Sequence, residues 1–272
     1  MKVAVVQMVS TPDVARNLAS AQHWVEQASQ NGAELVVLPE YFCGMGLHDR
    51  DKLAWAEPLG QGPIQDALAQ WARTYGLWIV AGTLPTQASD PERVRNTLLL
   101  FNPQGACVAH YDKIHLFRFA TAQEHYDESV RIEAGQQPVV AEMVDRQGQA
   151  WKLGLSVCYD LRFPELYRAL VDQGAQILLA PSAFTYTTGQ AHWELLLRAR
   201  AVENQCWMLG AAQGGRHENG RQTWGHSMIV DPWGQVLAQQ TEDGEGIRYA
   251  VLEAPFLKQV RQRLPALEHR CL

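Results

Sequence analysis

Gly32-Ala33-Glu34-Leu35-Val36-Val37-Leu38-Pro39 returns, altered in detail but not in kind, as Gly174-Ala175-Gln176-Ile177-Leu178-Leu179-Ala180-Pro181. In each copy a glycine leads into a short apolar run that proline closes, the pattern of a strand buried on both faces. Before the first copy, Val3 to Met8 reads as another buried strand, and Val14, Leu18, Ala21, Val25 and Ala28 fall at helical spacing. After it, Pro63 opens a helix with Ile64, Ala67, Leu68, Trp71 and Tyr75 on one face, and Leu77 to Ala81 is strand again. Alternation of this kind specifies an α/β architecture. Trp78 to Gly82 is echoed by Trp207 to Ala211, and the turn Asn102-Pro103-Gln104-Gly105 by Asp231-Pro232-Trp233-Gly234, both at an offset of 129. A single echo is what any strand-helix-strand unit produces, whereas three in the same order imply two related halves. No Pro/Ser/Gly-rich or charged linker separates them, so residues 1–272 are expected to form one domain.

A formal net charge of -6 gives no long-range attraction for phosphate backbones or anionic lipid, which argues against nucleic-acid and membrane partners. The apolar run at Val3 to Val6 is too short for a signal segment or a membrane span, so a cytoplasmic address is expected. Five cysteines, at 43, 107, 158, 206 and 271, are odd in number and nowhere spaced as CxxC, which reads as free thiols in a reducing compartment. The histidines offer no HExxH and no Cys/His ligand spacing, which argues against a metal. There is also no GxGxxG after a strand, no phosphate-binding Gly-Lys loop and no GxSxG elbow, so neither a nucleotide cofactor nor serine hydrolysis is expected.

Three charged or nucleophilic residues follow predicted strands. Cys158 lies between the apolar Leu153 to Val157 and Pro164, which suits a helix's first turn. A thiol at such an elbow faces backbone N–H groups and a helix dipole that lower its pKa and can hold an oxyanion; the position is equally that of a buried structural cysteine. Glu40 closes Leu35 to Pro39 and is either a general base with its pKa raised by partial burial or a solvated capping acid. Lys113 ends the second arm of the first hairpin, Ala106 to Lys113, and either stabilises developing negative charge or is an ordinary surface lysine. His115, on the same strand face, reads as a packing histidine.

Leu38-Pro39-Glu40, Asp112-Lys113-Ile114-His115-Leu116 and Val157-Cys158-Tyr159-Asp160-Leu161-Arg162-Phe163-Pro164-Glu165-Leu166 resemble, in order and spacing, the Glu, Lys and Cys signatures of the nitrilase (carbon-nitrogen hydrolase) superfamily. That resemblance implies an αββα four-layer sandwich of two pseudo-symmetric halves with mixed β-sheets, free of cofactor. It also implies a homodimer or larger homo-oligomer, with the segment from about residue 255 as a contact tail. Pro181-Ser182-Ala183-Phe184, Leu197 to Gln205, Gln213 and Gly215-Arg216-His217 look most like the deaminated glutathione amidase branch, with the ω-amidases next. The family's second glutamate corresponds to Glu128, with Glu124 as the alternative.

With these side chains together, Glu40 would take the Cys158 proton, the thiolate would attack an amide carbonyl, and Lys113 with the Tyr159 N–H would hold the oxyanion on the way to a thioester. Glu128 would orient Lys113 or the amide. Arg162, Ser182, Phe184 and Thr185 are the expected substrate contacts, and Arg198, Arg200 and Arg216 are further carboxylate-binding candidates that serve as well in structural ion pairs. The expected partner is a small amide-bearing acid. Nitrile or carbamoyl hydrolysis by the same residues, and a non-catalytic interaction protein on the same sandwich, stay open.

Overall fold

The computed structural model describes residues 1–122 and 125–271. Its first sheet places strands in the order Gly246–Val251, Lys2–Gln7, Leu35–Val37, Trp78–Val80, Val94–Phe101, with Leu84–Gln87 and Cys107–Asp112 also paired to Val94–Phe101. The second runs Val236–Gln239, Met228–Val230, Trp207–Gly210, Ile177–Leu179, Ala150–Leu155, Val139–Val144. In both, three central strands are parallel and the outer ones antiparallel, so the sheets are mixed.

Side-chain alternation fixes the layers. Val3, Val5, Leu35 and Val37 point toward the second sheet and share a core with Leu153, Leu155, Ile177 and Leu179. Ala4, Val6, Val36 and Leu38 point the other way, against Ala21 and Val25 of helix Val14–Gln30 and Leu68 and Trp71 of helix Pro63–Tyr75. Helices Pro164–Asp172 and Tyr186–Asn204 cover the second sheet's outer face. The result is the four-layer αββα sandwich expected.

The internal echoes are structural equivalents. Glu34 N–H bonds the Lys2 carbonyl and Gln176 N–H the Lys152 carbonyl; Trp78 N–H bonds the Glu34 carbonyl and Trp207 N–H the Gln176 carbonyl. In the paired turns, Asn102 Oδ1 accepts from the N–H of Gln104 and Ala106, and Asp231 Oδ1 from those of Trp233 and Gln235. A side chain that accepts two residues on is what makes Asn and Asp good turn formers.

Strand ends differ from expectation. Leu35–Val37 stops three residues before Glu40, and Cys107–Asp112 one residue before Lys113, so both groups sit in the turns beyond their strands. His115 consequently lies off the strand; its N–H and Nδ1 both reach Asp160 Oδ1, at 3.0 and 2.7 Å.

Candidate active site

Glu40, on the first-half turn, and Cys158, on the second-half elbow, meet where the carboxyl ends of the two parallel cores converge. Glu40 is 1% exposed. Its Oε1 accepts from Lys113 Nζ at 2.9 Å and Asn96 Nδ2 at 2.8 Å, and its Oε2 from the Ala183 N–H at 2.8 Å. Gln213 Nε2 binds the Glu40 carbonyl. Gly82, at φ +46°, passes so near that a Cβ there would lie 1.9 Å from the Pro39 carbonyl oxygen, which is why this turn needs glycine.

Lys113 is 0% exposed and spans two carboxylates, with Glu128 Oε2 at 2.8 Å on its other side. Burial works against its charge, but Glu128 and Glu40 overcome this and hold the ammonium well above its ordinary pKa. Glu128 is likewise disfavoured as an anion by burial, yet Lys113 and the Phe117 N–H keep it below the usual carboxylate range. The Tyr41 hydroxyl donates to Glu128 at 2.9 Å.

Cys158 begins the short 3-10 helix Cys158–Arg162 at φ +51°, a left-handed backbone that a non-glycine residue adopts only when its surroundings impose it. Two bonds impose it here: its N–H is fixed to the Pro181 carbonyl, and the preceding Val157 N–H to Asp160 Oδ2. Asp160, wholly buried, also accepts from Tyr111 and His115, bracing the elbow against the loop that carries Lys113.

The elbow was expected to lower the thiol's pKa; the structure reverses this. Burial first, then the charge of Glu40, push Cys158 well above its ordinary value, and Lys113 offsets only part. A five-residue helix contributes little dipole, and the two nearby carboxylates outnumber the one ammonium. The remaining thiols are unremarkable: Cys43 and Cys206 are buried and pushed up to about 12 and about 11, chiefly by burial, while Cys107 and Cys271 are exposed.

The acid and the thiol thus line one pocket, with the ammonium bonded to the acid behind it. The carbon-nitrogen hydrolase family model matches residues 2–262. The chain belongs to that family. It is 40% identical to a deaminated glutathione amidase of Yersinia enterocolitica over 98% of this chain and 92% of that protein. Among solved structures, the C. elegans NitFhit protein superposes at a TM-score of 0.89 with 37% identity over 99% of this chain; the chain spans 65% of that protein's length. Saccharomyces cerevisiae Nit3, a member of the nitrilase superfamily, superposes at 0.87 with 31% identity over 100% of this chain and 97% of the other. The protein is therefore a hydrolase of carbon-nitrogen bonds other than peptide bonds, acting on a small molecule.

The other expected contacts of this carbon-nitrogen hydrolase divide. Arg162, Phe184 and Thr185 line the Cys158 cavity, with the Arg162 guanidinium 5.4 Å above the Phe184 ring. Ser182 does not line it: its hydroxyl donates to the Ala180 carbonyl and its N–H to the Ala211 carbonyl, inside the second half. Arg198 and Arg200 are spent on the Gly234 and Leu161 carbonyls, and Arg216 is exposed. Glu124 lies outside the described residues.

Four site groups escaped sequence reasoning: Tyr41, Asn96, Asp160 and Arg221. Asn96 carried little signal, because it stands between Arg95 and Thr97 in the polar start of strand Val94–Phe101. The branch-like Gln213 and His217 turn out to be braces. Gln213 clamps Ser10 and the Glu40 carbonyl, and His217 bonds the Ser10 carbonyl through Nδ1 and Thr223 Oγ1 through Nε2. Burial holds that imidazole below its usual pKa, hence neutral. No helix of the described residues is long and apolar enough to cross a membrane.

Proposed function

We propose that the chain is a cysteine-dependent amidase that hydrolyses deaminated glutathione to 2-oxoglutarate and cysteinylglycine, with Cys158 as nucleophile, Glu40 as general base and acid, and Lys113 as oxyanion donor. The observation that carries this reading is the closed Glu40–Lys113–Glu128 array beside a thiol held at a left-handed elbow.

A thiol with a raised pKa is protonated in the resting enzyme, so attack requires a base at hand, and Glu40 is that base. As its proton passes to Glu40, sulfur bonds to the amide carbon and the carbonyl oxygen gains the charge. Lys113 Nζ and the N–H of Tyr159, in the helix's first turn where N–H groups lack intrahelical acceptors, receive that oxyanion. The carbon-nitrogen bond breaks as Glu40 returns the proton to nitrogen, leaving a thioester. Water then attacks it, giving its proton to Glu40, which passes it to the departing Cys158 sulfur. Glu128 holds Lys113 in place throughout. Phe117 and Tyr159, edge-to-face at 5.2 Å, give the cavity an apolar wall beside the sulfur, and Phe163 backs Tyr159 at 5.3 Å.

The same reading takes residues 1–272 as one catalytic domain, cytoplasmic and working as a homo-oligomer. In support of assembly, Leu195 and Val202 stand exposed seven residues apart on one helix, and Gly234, next to exposed Trp233, packs against Val202. The ω-amidase alternative shares every catalytic group, and substrate choice separates the two. The test is release of 2-oxoglutarate from deaminated glutathione and from 2-oxoglutaramate, with Cys158→Ala as control. Faster turnover of the second compound moves the assignment to ω-amidase, and turnover surviving in Cys158→Ala removes the nucleophile.

A further inference from the structure

A second cavity, of about 320 Å³, adjoins the one at Cys158 and shares Tyr41 and Arg221 with it. It is also lined by Asn96, the residue that donates to Glu40 Oε1, so it opens on the Glu40 side of the reaction centre. In any amide hydrolysis run by this acid, the departing nitrogen must lie at Glu40 to receive its proton. Glu40 lines the first cavity, so a group attached beyond that nitrogen has the second cavity next to it, across Tyr41 and Arg221.

The charges there are unequal in availability. Arg95 is committed to Glu133 and Asp112, and Lys52 lies 3.5 Å from Asp49. Arg221 has no carboxylate partner among the described residues. Among the described residues its Nε is buried without a hydrogen bond and its Nη1 meets Met45 Sδ at 3.8 Å, while its Cζ sits 4.9 Å above the Tyr126 ring. An arginine stacked on an aromatic ring keeps the edge of its guanidinium free for bidentate contact with a carboxylate.

Its placement is built rather than incidental. Arg221 sits on the turn joining strands Gly214–Arg216 and Gln222–Trp224, and buried His217 ties that hairpin to Ser10. Asn219 fixes the turn further: its Oδ1 accepts the Arg221 N–H, and its Nδ2 donates to the Gly46 carbonyl at 2.7 Å. A cation in a defined position, at the junction of two cavities, with unmet hydrogen-bonding capacity, is a receptor for an anion.

We infer that the second cavity is a leaving-group subsite and that Arg221 is its anchor, selecting amides whose departing amine carries a carboxylate. This rests on the proposed roles of Glu40 and Cys158 and adds to them the residue that distinguishes a peptide-like leaving group from ammonia. Arg162, which lines only the inner cavity, is left for the acyl half.

The experiment compares deaminated glutathione with its analogue ending in glycinamide, identical except that the terminal carboxylate is neutral. Wild-type kcat/KM is expected to favour the acid by about 10-fold to 100-fold, the range of a charge-assisted hydrogen bond, mostly through KM. Arg221→Gln is expected to bring the two substrates to near parity by lowering turnover of the acid, and Arg221→Lys to give an intermediate ratio. A wild-type enzyme indifferent to the terminal charge overturns the inference, as does an Arg221→Gln enzyme that keeps the full preference. Should Arg221→Gln fail to fold, the wild-type ratio and Arg221→Lys decide alone, an undiminished ratio in the lysine variant counting against it. Turnover of 2-oxoglutaramate, which releases only ammonia, tests the Cys158 reading separately: if it and both peptide amides are inert, that reading fails and the subsite falls with it.

Discussion

Replacing Lys113 with Met removes the one cation between Glu40 and Glu128 while keeping most of the side chain's length, so two carboxylates within 2.9 Å of the lost nitrogen face each other inside the protein. Each ion pair at that distance represents about 6 kcal/mol of gross attraction at an effective dielectric of ~20, most of it offset by desolvation. Breaking such a buried arrangement typically costs about 3–5 kcal/mol. The protein has one escape, which is to protonate a carboxylate. With an unfolded-state pKa near 4.3, that costs about 4 kcal/mol at pH 7.5 but only about 1.6 kcal/mol at pH 5.5. Lys113→Met should therefore lose about 4 kcal/mol at pH 7.5 and recover about 2–3 kcal/mol on acidification to pH 5.5, because a carboxylate with a raised folded pKa gains stability as pH falls. In the wild type the sign is opposite. Glu128 is held low, so its contribution is complete above its unfolded value and is lost only as pH falls through the folded one, leaving that contribution flat over the same window. Urea unfolding followed by the fluorescence of the nine tryptophans measures both slopes. A variant within 1 kcal/mol of wild type at pH 7.5, or one that does not gain on acidification, would refute the placement of Lys113 between two ionised acids.

Glu40→Gln should lower turnover at least about 100-fold while making the Cys158 thiolate easier to form, since the Glu40 charge pushes that thiol up. Thiolate ultraviolet absorbance, taken against the matching Cys158→Ala protein, should appear at lower pH in Glu40→Gln than in wild type, and an upward shift would contradict the assigned geometry. Asp160→Asn should destabilise the protein by about 2–3 kcal/mol and slow turnover, because an amide nitrogen then faces the donors of Tyr111, His115 and Val157. Equal urea midpoints for Asp160→Asn and wild type would show that Asp160 does not brace the elbow.

Much was legible in one dimension because its causes are local. Apolar runs ended by proline, helical spacing and two paired turns located strands, helices and the duplication without any distant contact, and they did so because alternation and turn chemistry act over a few residues. Glu40, Lys113 and Cys158 stood out as charged or nucleophilic groups just past strands. Ser182 could not be judged the same way. The duplication puts it at the position corresponding to Glu40, yet its hydroxyl turns back to its own loop, which no pattern in the sequence records.

By itself the sequence determined the alternation of strands and helices and its duplication, with Glu40, Lys113 and Cys158 placed just beyond apolar runs. Only the tertiary structure decided what those residues are chemically. The Cys158 thiol is pushed up rather than down because burial and two acids, Glu40 and Glu128, meet it across the interface of the halves. Arg221 Nε is left without a hydrogen bond among the described residues, whereas Arg198 and Arg200 donate to backbone carbonyls. Charge, solvation and partnership act through space between segments far apart in the chain, so they come into existence only when the two halves pack together.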